Sequence, residues 1–220
     1  MNATPKTPAA RPRTVRPEVA FVEDFVPQGE HAQAARRASE QLGVPAASAS
    51  TAALLTLLAR LVGAKAAVEI GTGAGVSGLA LLEGLSPDGI LTSIDPEPEH
   101  QQAARRVFAA AGIAPRRARL IAGSALAVLP KLSDGAYDLV YVDGDPLETV
   151  EYVAQAARLL RSGGVLVVDH ALAGGAVADP ANEDDNTVIM REVLDAVQTL
   201  DEFDPVLLPV GDGLLLAHRA

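Results

Sequence analysis

The sequence predicts a doubly wound α/β domain: a mostly parallel sheet, helices on both faces, and an antiparallel hairpin at its C-terminal edge. Three observations predict it. Short apolar runs at 66–70, 90–94, 118–122, 139–142 and 165–168 alternate with helical patterns, the order produced by right-handed strand–helix–strand crossovers. The first of these runs passes straight into glycines and a helix, AAVEIGTGAGVSG at 66–78. The chain closes with two apolar runs, 206–209 and 214–218, flanking Gly211-Asp212-Gly213, a hairpin signal.

Each element has its own reason. Residues 1–17, MNATPKTPAARPRTVRP, carry Lys6, Arg11, Arg13 and Arg16 and no acid, and read as a disordered basic tail. A single domain over 18–220 follows, with N-terminal helices in 18–63 and the core in 64–220. The segment 18–26 is a short amphipathic helix. A second helix, 29–42, is stopped by Gly43 with Pro45 beyond it. The run ASTAALLTLLARLV, 49–62, is apolar enough to pack directly on the sheet and ends at Gly63. Strand 66–70 then leads to helix 76–85, and strand 90–94 to helix 97–111. Strand 118–122 precedes helix 126–132, with Pro130 near its end. Strand 139–142 precedes helix 149–160, and 165–168 is the fifth strand. A polar loop, 174–186, separates it from helix 187–200.

Composition narrows the function. The chain has 220 residues, 49% of them hydrophobic, enough for one domain with a full core. A formal charge of −10 argues against a nucleic-acid surface, which needs clustered Lys and Arg. Three Tyr, four Phe and no Trp leave few platforms for stacking bases. Zero cysteines exclude disulfides, thiolate metal sites and a cysteine nucleophile, and fit a cytoplasmic protein. No apolar run reaches the ~20 residues of a membrane span, and no secretory leader pattern is present.

In an open parallel sheet, ligands bind beyond the carboxyl ends of the strands, which makes the residues at those ends the candidates for chemistry. Glu69 and the glycines Gly71, Gly73 and Gly75 stand at the first, and Asp95 at the second. Gly123 and Ser124 follow the third, Asp143 and Asp145 the fourth, Asp169 and His170 the fifth. Buried strand ends do not favour lone carboxylates for packing reasons. A strand–glycine turn–helix offers free N–H groups and a close backbone approach to a nucleotide-like ligand. The spacing here is G-x-G-x-G, not the dinucleotide fingerprint. Asp95 stands where an acid accepts from ribose hydroxyls, or caps the next helix. Glu69 would receive the amino group of an amino-acid-bearing cofactor, which points to S-adenosylmethionine rather than NAD. Asp143, Asp169 and His170 can converge on a divalent cation, or Asp169 caps its loop and His170 is an exposed polar residue. His31 and His100 read as solvated helix-face residues, and His218 as structural.

With those residues in view the chain resembles the cation-dependent O-methyltransferase family, which contains catechol and caffeoyl-coenzyme A O-methyltransferases. Within it the chain is similar to an actinobacterial branch of small S-adenosylmethionine-dependent enzymes. The likeness covers about 29–220 and rests on GAKAAVEIGTGAGVSGLAL, LTSIDPEPEHQQAAR, YDLVYVDGD, LLRSGGVLVVDH and LPVGDGLLLAHR, in that order. The resemblance implies a Rossmann-like methyltransferase fold and roles for individual residues. Glu69, Gly71, Thr72, Gly73 and Ser77 would hold the amino-acid end of the cofactor, with a backbone contact from Ala47. Asp95 would take the ribose hydroxyls; Pro96 and Gly123-Ser124-Ala125 would flank the adenine. Asp143 would lie between methyl donor and acceptor and be the first metal ligand, with Asp169 the second.

Three departures from the family pattern stand out. The usual third ligand, an Asn, is replaced by His170, which suits Mn²⁺, Fe²⁺ or Zn²⁺ better than Mg²⁺. The lysine of a D-A-D-K pattern is absent, since the chain reads Asp143-Gly144-Asp145-Pro146. The 171–185 loop is rich in glycine and acid. The expected reaction is methyl transfer to a hydroxyl of a small molecule, with a Mg or Mn cation or, without one, with Asp143 or His170 as base. A non-catalytic S-adenosylmethionine-binding sensor or dimer partner is the alternative reading, and an NAD-dependent oxidoreductase a weaker one. A homodimer is expected from the family; nucleic-acid and membrane partners are not.

Overall fold

In the computed structural model, which describes residues 17–220, seven strands form one sheet. They are β1 Ala66–Ile70, β2 Ile90–Asp95, β3 Ala118–Ala122, β4 Tyr137–Val142, β5 Leu160–Val168, β6 Phe203–Leu208 and β7 Leu214–Arg219. Their order is β3-β2-β1-β4-β5-β7-β6. The first five pair in parallel, while β7 runs antiparallel to both β5 and β6. The fold is therefore the doubly wound one that the alternation predicts. Apart from Pro17, the basic tail expected at 1–17 lies outside the described residues.

Eight helices surround the sheet in the described residues: α1 Pro17–Phe25, α2 Glu30–Leu42, α3 Ala49–Leu61, α4 Val76–Gly84, α5 Pro98–Ala110, α6 Ala125–Val128, α7 Thr149–Leu159 and α8 Asp185–Thr199. Strand side chains alternate between two cores, as period-2 geometry requires. Ala67, Leu91, Leu139, Tyr141 and Val167 meet α2, α3, α4 and α5 through Ala35, Leu55, Leu82 and Phe108. Val68, Ile70, Ile94, Val140 and Val168 face the other way, onto α6, α7 and α8 through Ala125, Tyr152, Val153 and Val193. Two helix ends carry their signals plainly. Ser48 caps α3, its hydroxyl accepting from Thr51 N–H at 3.1 Å. Gly43 ends α2 in the left-handed conformation, φ 68°. No helix among the described residues is long and apolar enough to cross a membrane.

The structure departs most from the sequence reading in four places. β5 begins at Leu160 rather than 165, because Tyr137 pairs with Leu160 before the register shifts to Leu139 with Val165. Arg161 anchors that irregular stretch by donating from Nε to Asp138 Oδ1 at 2.7 Å. The helix expected at 126–132 is α6 followed by a 3₁₀ turn, Leu129–Lys131, since Pro130 has no N–H to continue it. The 174–186 loop contains a 3₁₀ segment, Ala173–Ala178, and α8 starts at Asp185. β6 starts at Phe203, three residues early, with Pro205 inside it. That proline is tolerated because β6 is the sheet edge.

Candidate active site

The chain leaves β1 toward β2 and β3 on one side and returns through β4 on the other. The carboxyl ends of β1 and β4 thus form the crevice where an open sheet takes its ligand. Gly71 and Asp143 meet there. Gly71 has φ 92°, and a Cβ at that position would fall 1.9 Å from the Asp143 carbonyl oxygen. Only glycine satisfies both the conformation and the contact.

On one side of this crevice the glycine turn is held by a carboxylate. Asp95 Oδ2 accepts from the N–H groups of Thr72 and Gly73, each at 3.0 Å. Asp95 Oδ1 accepts from Glu97 N–H at 2.9 Å. Behind the turn, Glu69 is fully buried and accepts from Ser77 Oγ at 2.6 Å and Ser93 Oγ at 2.5 Å. The chain of bonds continues from Ser93 to Thr72 at 2.6 Å and from Gln101 Nε2 to Thr72 at 2.9 Å. Burial pushes the Glu69 carboxyl up to about 8, against the lowering effect of the two serine bonds. The cavity in front measures about 410 Å³ and is lined by Ala47, Gly71, Thr72, Gly73, Ser77, Asp95 and Asp143, among others.

On the other side, side chains rather than backbone make the site. Asp143, Asp169 and His170 each offer a ligand atom, all within 4.8 Å of one another. Tyr141, buried in the sheet, donates its hydroxyl to Asp169 Oδ2 at 2.7 Å and approaches Asp143 Oδ2 at 3.2 Å. Burial and then the charge of Asp169 raise the Asp143 carboxyl above the usual range. For His170, burial opposes the charged form, but Asp143, Asp169 and Asp212 outweigh it and raise the imidazole. His170 itself has φ 57°, an uncommon backbone state for a non-glycine residue. Its Nε2 lies 3.5 Å from Asp143 Oδ1 and its Nδ1 3.4 Å from Asp212 Oδ2. A second cavity, about 440 Å³, opens here between β4, β5 and the start of α8; Asp143, Asp169, His170, Asp184, Met190 and Asp212 contribute to its wall. Asp143, Gly144, Pro146 and His170 line both cavities.

Most of the residues singled out from the sequence therefore fall at one crevice. Glu69 stands a layer behind it, in contact through Ser77 and Ser93. Pro96, Gly123, Ser124 and Ala125 stand at the ends of β2 and β3, outside the lining of the two cavities. His100, read as solvated, instead bonds Asp95 through Nδ1 at 3.1 Å; it sits in the first turn of α5, directly beyond the end of β2. Sequence reasoning missed Tyr141, although it lies two residues before Asp143 and so shares its face of β4. It also missed Asp212 as a partner of His170, a contact created only when β7 pairs with β5. Ser39 was missed as well: it lines the first cavity, and its buried Oγ has no hydrogen-bond partner.

Comparison with known proteins gives the family of the chain. The family described as O-methyltransferase matches residues 29–220. A relative from Mycobacterium sp. (strain JLS), named as an O-methyltransferase, is 45% identical over 219 residues and covers 100% of both chains. Among solved structures, a Corynebacterium glutamicum protein superposes with a TM-score of 0.86 at 34% identity, covering 91% of this chain and 94% of that one. The O-methyltransferase TomG of Streptomyces achromogenes, solved in complex with S-adenosylmethionine, gives 0.83 at 33% identity, covering 92% and 95%.

Proposed function

The chain belongs to the O-methyltransferase family, and on that premise we propose which of its residues carry the reaction. It is an S-adenosylmethionine-dependent O-methyltransferase acting on small molecules. The observation that carries the site assignment is the shared wall: one cavity at the glycine turn and one at the Asp143–Asp169–His170 cluster meet across Asp143. A donor in the first and an acceptor in the second would face each other over that residue.

The first cavity suits the cofactor. Its wall contains a buried, unpartnered hydroxyl on Ser39, and Gly71 and Gly73 let a ligand approach the backbone closely. In this reading Ala47, Gly71, Thr72, Gly73 and Ser77 hold the amino-acid end, and Glu69 sets the polarity behind them. Asp95 takes the ribose, while Pro96 and Gly123-Ser124-Ala125 flank the adenine. Bound S-adenosylmethionine supplies a methyl group on a sulfonium, which is electrophilic without further activation. The protein aligns the acceptor oxygen with that methyl and removes the hydroxyl proton.

The donor set of the second cavity, two carboxylates and an imidazole, fits a divalent cation of the Mn²⁺ type better than Mg²⁺. Asp143, Asp169 and His170 would hold it, and it would lower the pKa of the acceptor hydroxyl. Tyr141 fixes the two carboxylates. In the cation-free enzyme His170 Nε2, beside Asp143, takes the proton instead. Residues 18–220 act as one domain in this reading. We also place a homodimer contact on the exposed Phe21 and Phe25 of α1 and Leu57 and Leu61 of α3; Leu61→Glu should shift a dimer to monomer by light scattering.

Calorimetric titration with S-adenosylmethionine, with and without Mg²⁺ and Mn²⁺, tests the assignment on wild type and Asp169→Ala. Cofactor binding with a Mn²⁺ signal that the variant loses is the expected result. Cofactor binding with no metal signal would remove the cation from the proposal. No cofactor binding would overturn the site.

A further inference from the structure

The ribose subsite has too few acceptors if Asp95 works alone. A carboxylate offers about four lone-pair directions. On Asp95, Thr72 and Gly73 N–H take two of them at Oδ2, and Glu97 N–H takes one at Oδ1. All three donors are backbone groups, fixed by the glycine turn and the approach to α5. One direction remains, and His100 Nδ1 fills it, 3.1 Å from Oδ1 and 3.2 Å from Oδ2. The ribose of the cofactor is a vicinal diol and brings two hydroxyl donors. Asp95 can accept one of them at most while the turn keeps its shape.

We propose that His100 is a cofactor-binding residue, the second hydrogen-bond partner of the ribose diol. The imidazole lines the same cavity as Asp95 and is four-fifths buried, its side chain 20% exposed. It sits on α5, a helix packed into the core through Phe108 and Ala104, so it arrives at a fixed place. One hydroxyl takes the position on Asp95 that the ring now holds, and the other bonds the ring. The ring satisfies Asp95 until the cofactor comes, then satisfies the hydroxyl that Asp95 cannot. A neutral imidazole can serve as donor at one nitrogen and acceptor at the other, which suits both tasks. The inference rests on the reading that this cavity takes S-adenosylmethionine.

The test is calorimetric binding of S-adenosylhomocysteine and its 2′-deoxy and 3′-deoxy analogues to the full chain, as wild type, His100→Ala and His100→Gln. Loss of one such hydrogen bond should weaken S-adenosylhomocysteine about fivefold to tenfold in His100→Ala. One deoxy analogue should bind wild type worse by a similar factor and lose nothing further in the variant. The other should lose the same factor in both proteins. His100→Gln, which keeps an amide donor and acceptor, should recover part of the loss, and thermal melts of the variants should match wild type. Unchanged binding in His100→Ala, or deoxy penalties that simply add to the substitution, would overturn the proposal while leaving the cofactor site standing. No binding of S-adenosylhomocysteine to wild type would overturn both.

Discussion

The two cavities that meet at Asp143 are built on different principles. The side we propose for the methyl donor is mostly backbone: a glycine turn whose N–H groups are tied to Asp95, backed by the buried Glu69–Ser77–Ser93 network. The side we propose for the acceptor is mostly side chains on connections, with positive φ at His170, Ala173, Gly174 and Gly175. It is secured from a distance: Arg191 of α8 donates to the carbonyls of Ala176, Val177, Asp179 and Asn182. A site made of backbone changes only with the fold. One made of loop side chains can be rewritten residue by residue, which lets one donor serve many acceptors.

That contrast can be broken most forcefully at Gly71. Alanine there needs a strained φ and drives Cβ into the Asp143 carbonyl, so the loss should exceed about 3 kcal/mol. A fall of roughly 6–12 °C or more in Tm, or failure to fold, is the expected outcome for a chain of this size. A Tm within a degree or two of wild type would mean that β1 and β4 are not held as closely as described.

The acceptor side should respond differently. Arg191→Ala removes four bonds from a charged donor, a cost of roughly 2 kcal/mol after water replaces some of them. The damage should stay local. Limited proteolysis or amide exchange in 173–184 should rise on the order of tenfold, while S-adenosylmethionine affinity changes less than about twofold. Lysine should not rescue it, because an ammonium cannot span four carbonyls as a guanidinium does. Equal loss of cofactor binding would show that the two sides are one cooperative unit.

Glu69 gives the donor side a pH signature. Its folded pKa of about 8 stands above the ordinary 4.5. Between those values the folded protein keeps a proton that the unfolded chain releases, so stability falls as pH rises. The slope approaches about 1.4 kcal/mol per pH unit at most. Glu69→Gln should flatten that slope, making the variant gain on wild type from pH 5 to pH 8 in denaturant titrations. Parallel profiles for the two proteins would contradict the buried, protonated carboxyl.

The same division governs what could be read from sequence. The convergence at the glycine turn was legible because its parts lie within a few residues of strand ends, and glycines and acids announce themselves there. The parallel, doubly wound sheet followed from alternation, and its antiparallel edge from Asp212-Gly213; the strand order did not. His100 escaped because a helical pattern assigns a face but not which residue of the first turn lies over the neighbouring strand end. Asp212 escaped for a different reason: it reaches His170 only through the pairing of Val168 with Leu215, a long-range event that local pattern does not encode. Arg191 carried no signal in the sequence, since carbonyl acceptors leave no mark there.

The finest test of the contrast is the residue that departs from the family pattern on the acceptor side. An imidazole in a donor set with two carboxylates favours Mn²⁺ or Zn²⁺, whereas an amide oxygen restores the all-oxygen shell preferred by Mg²⁺. His170→Asn should therefore weaken Mn²⁺ binding about tenfold, the scale of one ligand's loss in a tuned site. Mg²⁺ binding should hold or improve. Asparagine also tolerates a positive φ better than most residues, so the 57° at this position should survive and stability should barely move. Cofactor affinity without metal should change less than metal binding does, because His170 touches the cofactor cavity only at the wall the two cavities share, whereas the glycine turn and Asp95 stand on the other side of Asp143. Metal titrations of the two proteins, each with and without S-adenosylhomocysteine, separate these terms. Unaltered metal preference would mean that His170 is no ligand and serves as the proton acceptor of the cation-free route.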